Sequence, residues 1–215
     1  LDAATLNRAQ PYLEHVRAEV TAGQYLDVIA QAHDPHALTR TPQAREALSG
    51  LIATVVTWKS ASYTIRRPLH IGATIAGANT AQLQALTAFG QPLGRAFQYR
   101  DDVLGIYGDA ALTGKDSGED LRAGKLTLLA AEAFGRAGAD DSAELAALFG
   151  DPALTLAQVE RARQIIDASG ARAAVEDEIR REYDAALAAL ADADLTDAGR
   201  AGLAGLARLA VRRDF

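Results

Sequence analysis

The chain of 215 residues has no cysteine and no methionine, one tryptophan and six prolines. Without cysteine it can form neither a disulfide framework nor a zinc-thiolate site, and a reducing cytoplasm is the expected compartment. Without methionine, Leu1 is not a translation start, so the expectation is that the chain was processed or that its beginning is missing. Leu1-Asp2-Ala3-Ala4 shows none of the features of a signal peptide. No apolar run reaches the roughly 18 residues that would suggest a membrane span. Alternating β-branched runs bounded by turn residues are absent as well, so strands are not expected. Excess positive charge is also missing. The net charge of −6 argues against a dedicated nucleic-acid binder, which would carry a basic surface.

What remains is helical in character. Hydrophobic residues make up 49% of the chain, enough to bury a sizeable core, and Ala, Leu, Arg, Glu and Gln dominate, all good helix formers. The spacing of Leu13, Val16, Val20, Leu26 and Ile29 predicts one helix over residues 6–32 with these side chains in the core. Thr41-Pro42 reads as an N-cap followed by proline at the first helical position, starting a helix that runs to about Arg67, where Pro68 stops or bends it. A short helix over 69–78 follows, then one from Asn79-Thr80 to about Tyr107 with a bend at Pro92. Residues 108–124, punctuated by glycine, read as a loop. Further helices are expected near 125–136, 155–168, 171–192 and 196–212, with Thr155 and Thr196 as caps, and Asp140-Asp141 reads as another helix start. No repeat, low-complexity tract or linker interrupts this pattern. The expected fold is all-α, a single helical domain over residues 1–215.

Three places carry candidate chemistry. In Lys59-Ser60-Ala61-Ser62-Tyr63, an α-helical spacing sets Lys59 and Tyr63 on one face, and a lysine near an apolar face needs an anionic partner. In Phe97-Gln98-Tyr99-Arg100-Asp101-Asp102, Gln98, Asp101 and Asp102 project to one side. Adjacent carboxylates repel unless a cation lies near, and Mg²⁺ commonly bridges one or two carboxylates to phosphate oxygens. In residues 108–125, Gly114-Lys115 and Gly124-Lys125 each set a lysine behind a glycine that lets backbone approach a ligand, with Lys125 read as the start of a helix whose N-terminus favours anions. Taken singly, these segments read as a snorkelling lysine, a solvated acidic pair balanced by Arg100, and an ordinary surface loop. Arg66-Arg67, before Pro68, read as charge complementing a helix dipole.

Their order is more specific than any one of them. Gly23-Gln24-Tyr25-Leu26-Asp27 comes first, then Lys59-Ser60, then Arg67-Pro68-Leu69-His70-Ile71-Gly72-Ala73. Phe97-Gln98-Tyr99-Arg100-Asp101-Asp102-Val103-Leu104-Gly105 follows, with Gly108-Asp109, Gly114-Lys115 and Gly118-Glu119-Asp120-Leu121-Arg122-Ala123-Gly124-Lys125-Leu126-Thr127 at the end. From Gly23 to Thr127 this resembles the polyprenyl synthetases, the trans-type isoprenyl diphosphate synthases. The resemblance implies the isoprenoid synthase-type helical bundle, of which this chain is the central and C-terminal part. It also implies a prenyltransferase that condenses isopentenyl diphosphate with an allylic diphosphate, head to tail, in a Mg²⁺-dependent reaction through a carbocation.

Carried over by position, Asp101 and Asp102 match the second aspartate-rich motif and bind the metal. Lys59 and Lys115 match lysines on the allylic diphosphate, and Lys125 a further lysine near it. Ser60, Tyr63 and Gln98 match residues at the allylic end and the developing cation, and Gln24 and Asp27 a motif lining the active-site helices. A homodimer is the implied assembly. Two departures stand out. Gly105 replaces the third carboxylate common in the Asp-Asp-x-x-Asp motif. The family's first aspartate-rich motif and its arginines would lie upstream of Leu1, so residues 1–215 alone are expected to be incomplete for catalysis. The alternative is a truncated, non-catalytic subunit that binds and modulates another synthase. A class I terpene cyclase would call for an Asn/Ser/Glu-type second metal motif, which the chain does not show.

Overall fold

The computed structural model describes residues 1–32, 34, 41–108 and 118–212. Among them the regular elements are helices, in the order α1 (Ala3–Gln31), α2 (Pro42–Val55), a π-helical segment (Val56–Arg66), α3 (Arg67–Ile75), α4 (Thr80–Tyr107), α5 (Glu119–Arg122), α6 (Leu128–Arg136), α7 (Ala139–Leu148), α8 (Leu156–Ala168), α9 (Ala171–Ala191) and α10 (Asp197–Val211). No described helix is long and apolar enough to cross a membrane.

The starts follow local side-chain chemistry. Thr41, Thr127, Thr155 and Thr196 each accept a backbone N–H from the first turn of α2, α6, α8 and α10, satisfying a donor that the helix itself leaves unpaired. Asn79 and Gln82 exchange reciprocal bonds at the start of α4. Asp140 and Asp141 do open a helix, α7.

Three expectations are corrected. Residues 42–75 run on as α, π and α without a break, and Pro68 sits in the first turn of α3, where its missing N–H is tolerated. Lys125 does not begin a helix, since α6 starts at Leu128 behind Thr127. On α1 the large apolar residues are not the core: Leu13 and Ile29 are exposed and Val16, Val20 and Leu26 half-buried, while Ala9, Gly23, Asp27 and Ala30 are buried. This helix packs through its small residues.

The chain divides into two compact units, residues 1–26, 54–98 and 179–212 in one and 27–53 and 99–178 in the other. The core of the first centres on Val56, Ala61, Leu86, Phe89, Leu93, Ala96 and Ile179. Two glycines let its backbones approach: a Cβ at Gly23 would lie 2.4 Å from the Lys59 nitrogen, and one at Gly94 2.4 Å from the Ala61 Cβ. The π segment is thereby held between α1 and α4, and its 11 residues far exceed the single turn usual for such helices. An apolar cavity of about 390 Å³ opens between this segment and α10, lined by Ile65, Leu69, Phe97, Leu203 and Leu206 among others. The core of the second unit centres on Val103, Ile106, Leu121, Leu129, Leu145, Val159, Ile165 and Ile166.

Candidate functional site

Each unit contains an ion cluster, and the two are opposite in sign. In the second unit, Lys125 donates to Asp102 Oδ1 at 3.0 Å and to Asp120 Oδ2 at 3.2 Å. The Asp102 side chain is 4% exposed and that of Asp120 12%. Burial opposes the Lys125 charge, but the two carboxylates outweigh it, and the ammonium is held well above its ordinary pKa. This lysine is charged at every physiological pH.

Local structure fixes the partners. Asp102 lies in the last two turns of α4, whose Ile106 carbonyl accepts from Arg163 Nε at 2.9 Å and Nη2 at 2.6 Å, a basic side chain serving the orphan acceptors at a helix end. Arg100 forms two 2.7 Å bonds with Glu176, and Lys125 is a cation that meets Asp102. Asp120 belongs to the single turn of α5. Gly118 precedes it in the left-handed region at φ +77, and a Cβ there would come within 2.6 Å of Val159. The Leu121 carbonyl accepts from Gly150 N–H at 2.8 Å, and Arg122 donates to the Leu154 carbonyl at 3.1 Å. The Lys125 N–H returns to the Asp120 carbonyl at 3.0 Å. The turn is thus anchored at both ends before any ligand arrives.

In the first unit, Glu19 of α1 receives Arg66 Nη2 at 2.9 Å and Arg67 Nε at 3.0 Å, with a further bond from Arg67 Nη2. Arg66 also donates to Ser62 Oγ at 2.6 Å, and its buried Nε has no hydrogen-bond partner. The two arginines therefore complement a specific carboxylate rather than a helix end. Burial opposes the Glu19 charge, yet the hydrogen bond from Arg67 and the charges of both arginines hold its pKa below the ordinary value. His70 completes the cluster. Thr87 gives its proton to the Leu83 carbonyl at 2.9 Å, so it accepts from His70 Nε2 at 2.8 Å, which leaves Nδ1 to accept from Arg67 at 3.3 Å. That network assigns the neutral tautomer. Burial, then the charges of Arg67 and Arg66, lower the His70 pKa to about 4.

The other expected residues are placed as follows. Lys59 and Ser60 are half-buried in the π segment, and Tyr63 on the same segment is 55% exposed. A π ladder links i to i+5, so Lys59 and Tyr63 do not have the α-helical spacing expected of them. Gln98 is half-buried on α4, three and four residues before Asp101 and Asp102. Gln24 is exposed on α1, while Asp27 is buried and accepts from Gln31 at 3.1 Å. Lys115 lies outside the described residues. The structure thus joins Asp102 to Lys125 and sets Lys59 against Gly23. Sequence reasoning missed Asp120 and Glu19. Signals for both existed: Asp120 stands inside the quoted Gly-Lys motif, and Glu19 is a lone carboxylate among half-buried positions of α1.

Among the described residues no group of three or more His, Cys, Asp or Glu side chains could hold a metal ion unaided. Mg²⁺ is commonly held by one or two carboxylates completed by substrate phosphates. The hard oxygens of Asp101 and Asp102 fit that mode.

The described fold is all helical, with paired aspartates late in α4 and a lysine bonded to the second of them. The chain belongs to the polyprenyl synthetase family, whose model matches residues 4–166. It is 40% identical over 124 residues to the geranylgeranyl diphosphate synthase of Mycobacterium tuberculosis, covering 57% of this chain and 35% of that one. It is 41% identical over 107 residues to the geranylfarnesyl diphosphate synthase of Aeropyrum pernix, covering 50% and 32%. The matched stretch therefore spans about a third of these relatives. Among solved structures, the geranylgeranyl pyrophosphate synthase of Corynebacterium glutamicum, complexed with isoprenyl diphosphate and magnesium, superposes with a TM-score of 0.89 at 36% identity, covering 99% of this chain and 57% of that one.

Proposed function

We propose that the protein is a prenyltransferase that joins isopentenyl diphosphate to an allylic diphosphate, head to tail, with Mg²⁺. The observation that carries this reading is the preformed Asp102–Lys125–Asp120 cluster beside Asp101, in a chain of this family. Breaking the allylic C–O bond puts negative charge on the departing diphosphate, and fixed cations aimed at that charge lower the barrier. Lys125, Lys59 and Lys115 are the protein cations for that task. Asp101 and Asp102 would hold Mg²⁺, which when bound neutralises diphosphate oxygens. Gln98, Ser60 and Tyr63 serve the allylic end, where exclusion of water protects the cation, and Gln24 and Asp27 line the neighbouring helix. The synthases named above and the isoprenyl diphosphate and magnesium in the Corynebacterium glutamicum complex support the assignment of substrates and metal. The same reading takes the 215 residues as one helical domain of a homodimeric, cytoplasmic enzyme. Retention of the ion cluster weighs against a purely modulatory subunit, which has no use for it.

The test is condensation of labelled isopentenyl diphosphate with allylic diphosphates by the intact protein. Product should form with Mg²⁺ and not in chelator. Asp101→Ala should lower turnover by about 10²–10³-fold, the scale of losing one oriented electrostatic group, at an unchanged unfolding midpoint. Full activity in chelator or in Asp101→Ala would refute the reading.

A further inference from the structure

Position 105 of α4 faces the Asp120 side chain. A Cβ built on Gly105 would lie 2.2 Å from Asp120 Oδ2 and 2.5 Å from its Cγ, distances that no real structure tolerates. That Oδ2 is the same atom that receives Lys125 at 3.2 Å. The carboxylate of Asp120 therefore occupies the volume that any side chain at 105 would enter, and it uses that volume to hold the lysine. The backbone carrying it is anchored by Gly118 against Val159, by Gly150 on the Leu121 carbonyl and by Arg122 on the Leu154 carbonyl. The Asp120 side chain, with 12% exposure, has little freedom to point elsewhere.

We infer that Asp120 is a positioning residue for the diphosphate site and takes over, through space, the place of the carboxylate that position 105 lacks. Its Oδ2 and Asp102 Oδ1 share one ammonium, which fixes Lys125 in one place instead of leaving a flexible four-carbon stem to search. Glycine at 105 is the condition for this arrangement. Any larger residue there would push Asp120 off Lys125 without removing either charge. This inference rests on the reading of Lys125 as a diphosphate-contacting residue, and it adds that Asp120 sets where that charge stands.

The experiment is calorimetric titration of the intact protein with inorganic pyrophosphate and Mg²⁺, which needs no turnover. Asp120→Asn, of the same shape, and Gly105→Ala should each weaken pyrophosphate binding by about tenfold, with the Asp120→Asn urea midpoint near that of wild type. In the condensation assay Asp120→Asn should raise KM for the allylic diphosphate more than it lowers kcat, because it mislays a binding charge rather than a reacting group. The decisive variant is the swap Gly105→Asp/Asp120→Gly, which roots a carboxylate on the opposite side of the same volume. It should bind pyrophosphate more tightly than Asp120→Gly alone. Wild-type binding by Asp120→Asn, or a swap no better than Asp120→Gly, would overturn the inference and leave the functional reading standing. A wild-type protein that does not bind pyrophosphate with Mg²⁺ would overturn that reading, and this inference with it.

Discussion

The two ion clusters are built alike and carry opposite charge. Glu19 between Arg66 and Arg67 sums to +1, and Lys125 between Asp102 and Asp120 sums to −1. In the first, the carboxylate comes from α1 and the cations from the junction of the π segment with α3, so the contact ties two elements 47 and 48 residues apart in sequence. Its surplus positive charge is backed by a histidine kept neutral. In the second, Lys125, Asp102 and Asp120 sum to a negative charge, and Asp101 stands beside them in sequence. Paired carboxylates are suited to taking up a divalent cation, whereas the positive cluster already holds its carboxylate between two arginines. The comparison sets a cluster that ties two elements of one unit beside one whose carboxylates the proposed function assigns to a ligand.

Removing Glu19 should be the most damaging change to stability. Glu19→Ala leaves two mostly buried guanidinium groups facing each other, and breaking a buried pair this way costs about 3–5 kcal/mol. Urea unfolding should show a fall of that order, and a change below about 1 kcal/mol would mean that the cluster is a surface feature. Next comes the glycine contact that seats Lys59. Gly23→Ala drives a Cβ into the Lys59 backbone and should cost about 1–3 kcal/mol through overpacking. Turnover per folded molecule should fall with it, because the π segment must shift. Gly202→Ala on α10 meets nothing within 4 Å, and that change should instead stabilise by about 0.5–1 kcal/mol from helix propensity. Similar midpoints for the two variants would show that the Gly23 approach is not close.

A further effect is on pH dependence. His70 has a folded pKa of about 4 and an unfolded one near 6.5, so between these values the unfolded chain binds more protons. Stability is fully present above about pH 6.5 and is lost as pH falls toward 4. Arg67, Arg66, Glu19, Tyr12 and Thr87 face the ring, and only Glu19 among them titrates nearby, adding its own loss below its ordinary value of 4.5. The His70 contribution should be about 1–2 kcal/mol, read as a steeper decline of wild type than of His70→Asn between pH 6.5 and 5. Parallel profiles would remove His70 from the account.

Much of this was legible in the sequence because it is written locally. Threonine caps, the proline at the start of α2 and the run of helix formers gave the helices, and the order of short motifs gave the family, with Asp101, Asp102, Lys59 and Lys125 as its candidate residues. What was not legible depends on which backbones touch. The π segment looks like ordinary helix, since its ladder changes only the bond register. The small-residue packing of α1 inverts the rule that large apolar residues mark the buried face. Glu19 reaches Arg66 and Asp102 reaches Lys125 only through tertiary contact. Gly105 looked like a loss until Asp120 was found in its space.

The most direct measurement is the turnover of Asp102→Asn per folded molecule, with Mg²⁺ and both diphosphates, beside its urea midpoint. Lys125 keeps Asp120 as a partner in this variant, so stability should fall by no more than about 1.5–3 kcal/mol, the worth of a hydrogen bond to a charged group, while turnover drops by about 10²-fold or more. Turnover that falls only in proportion to the folded fraction would make the negative cluster a structural ion pair like its positive counterpart, and would contradict the account.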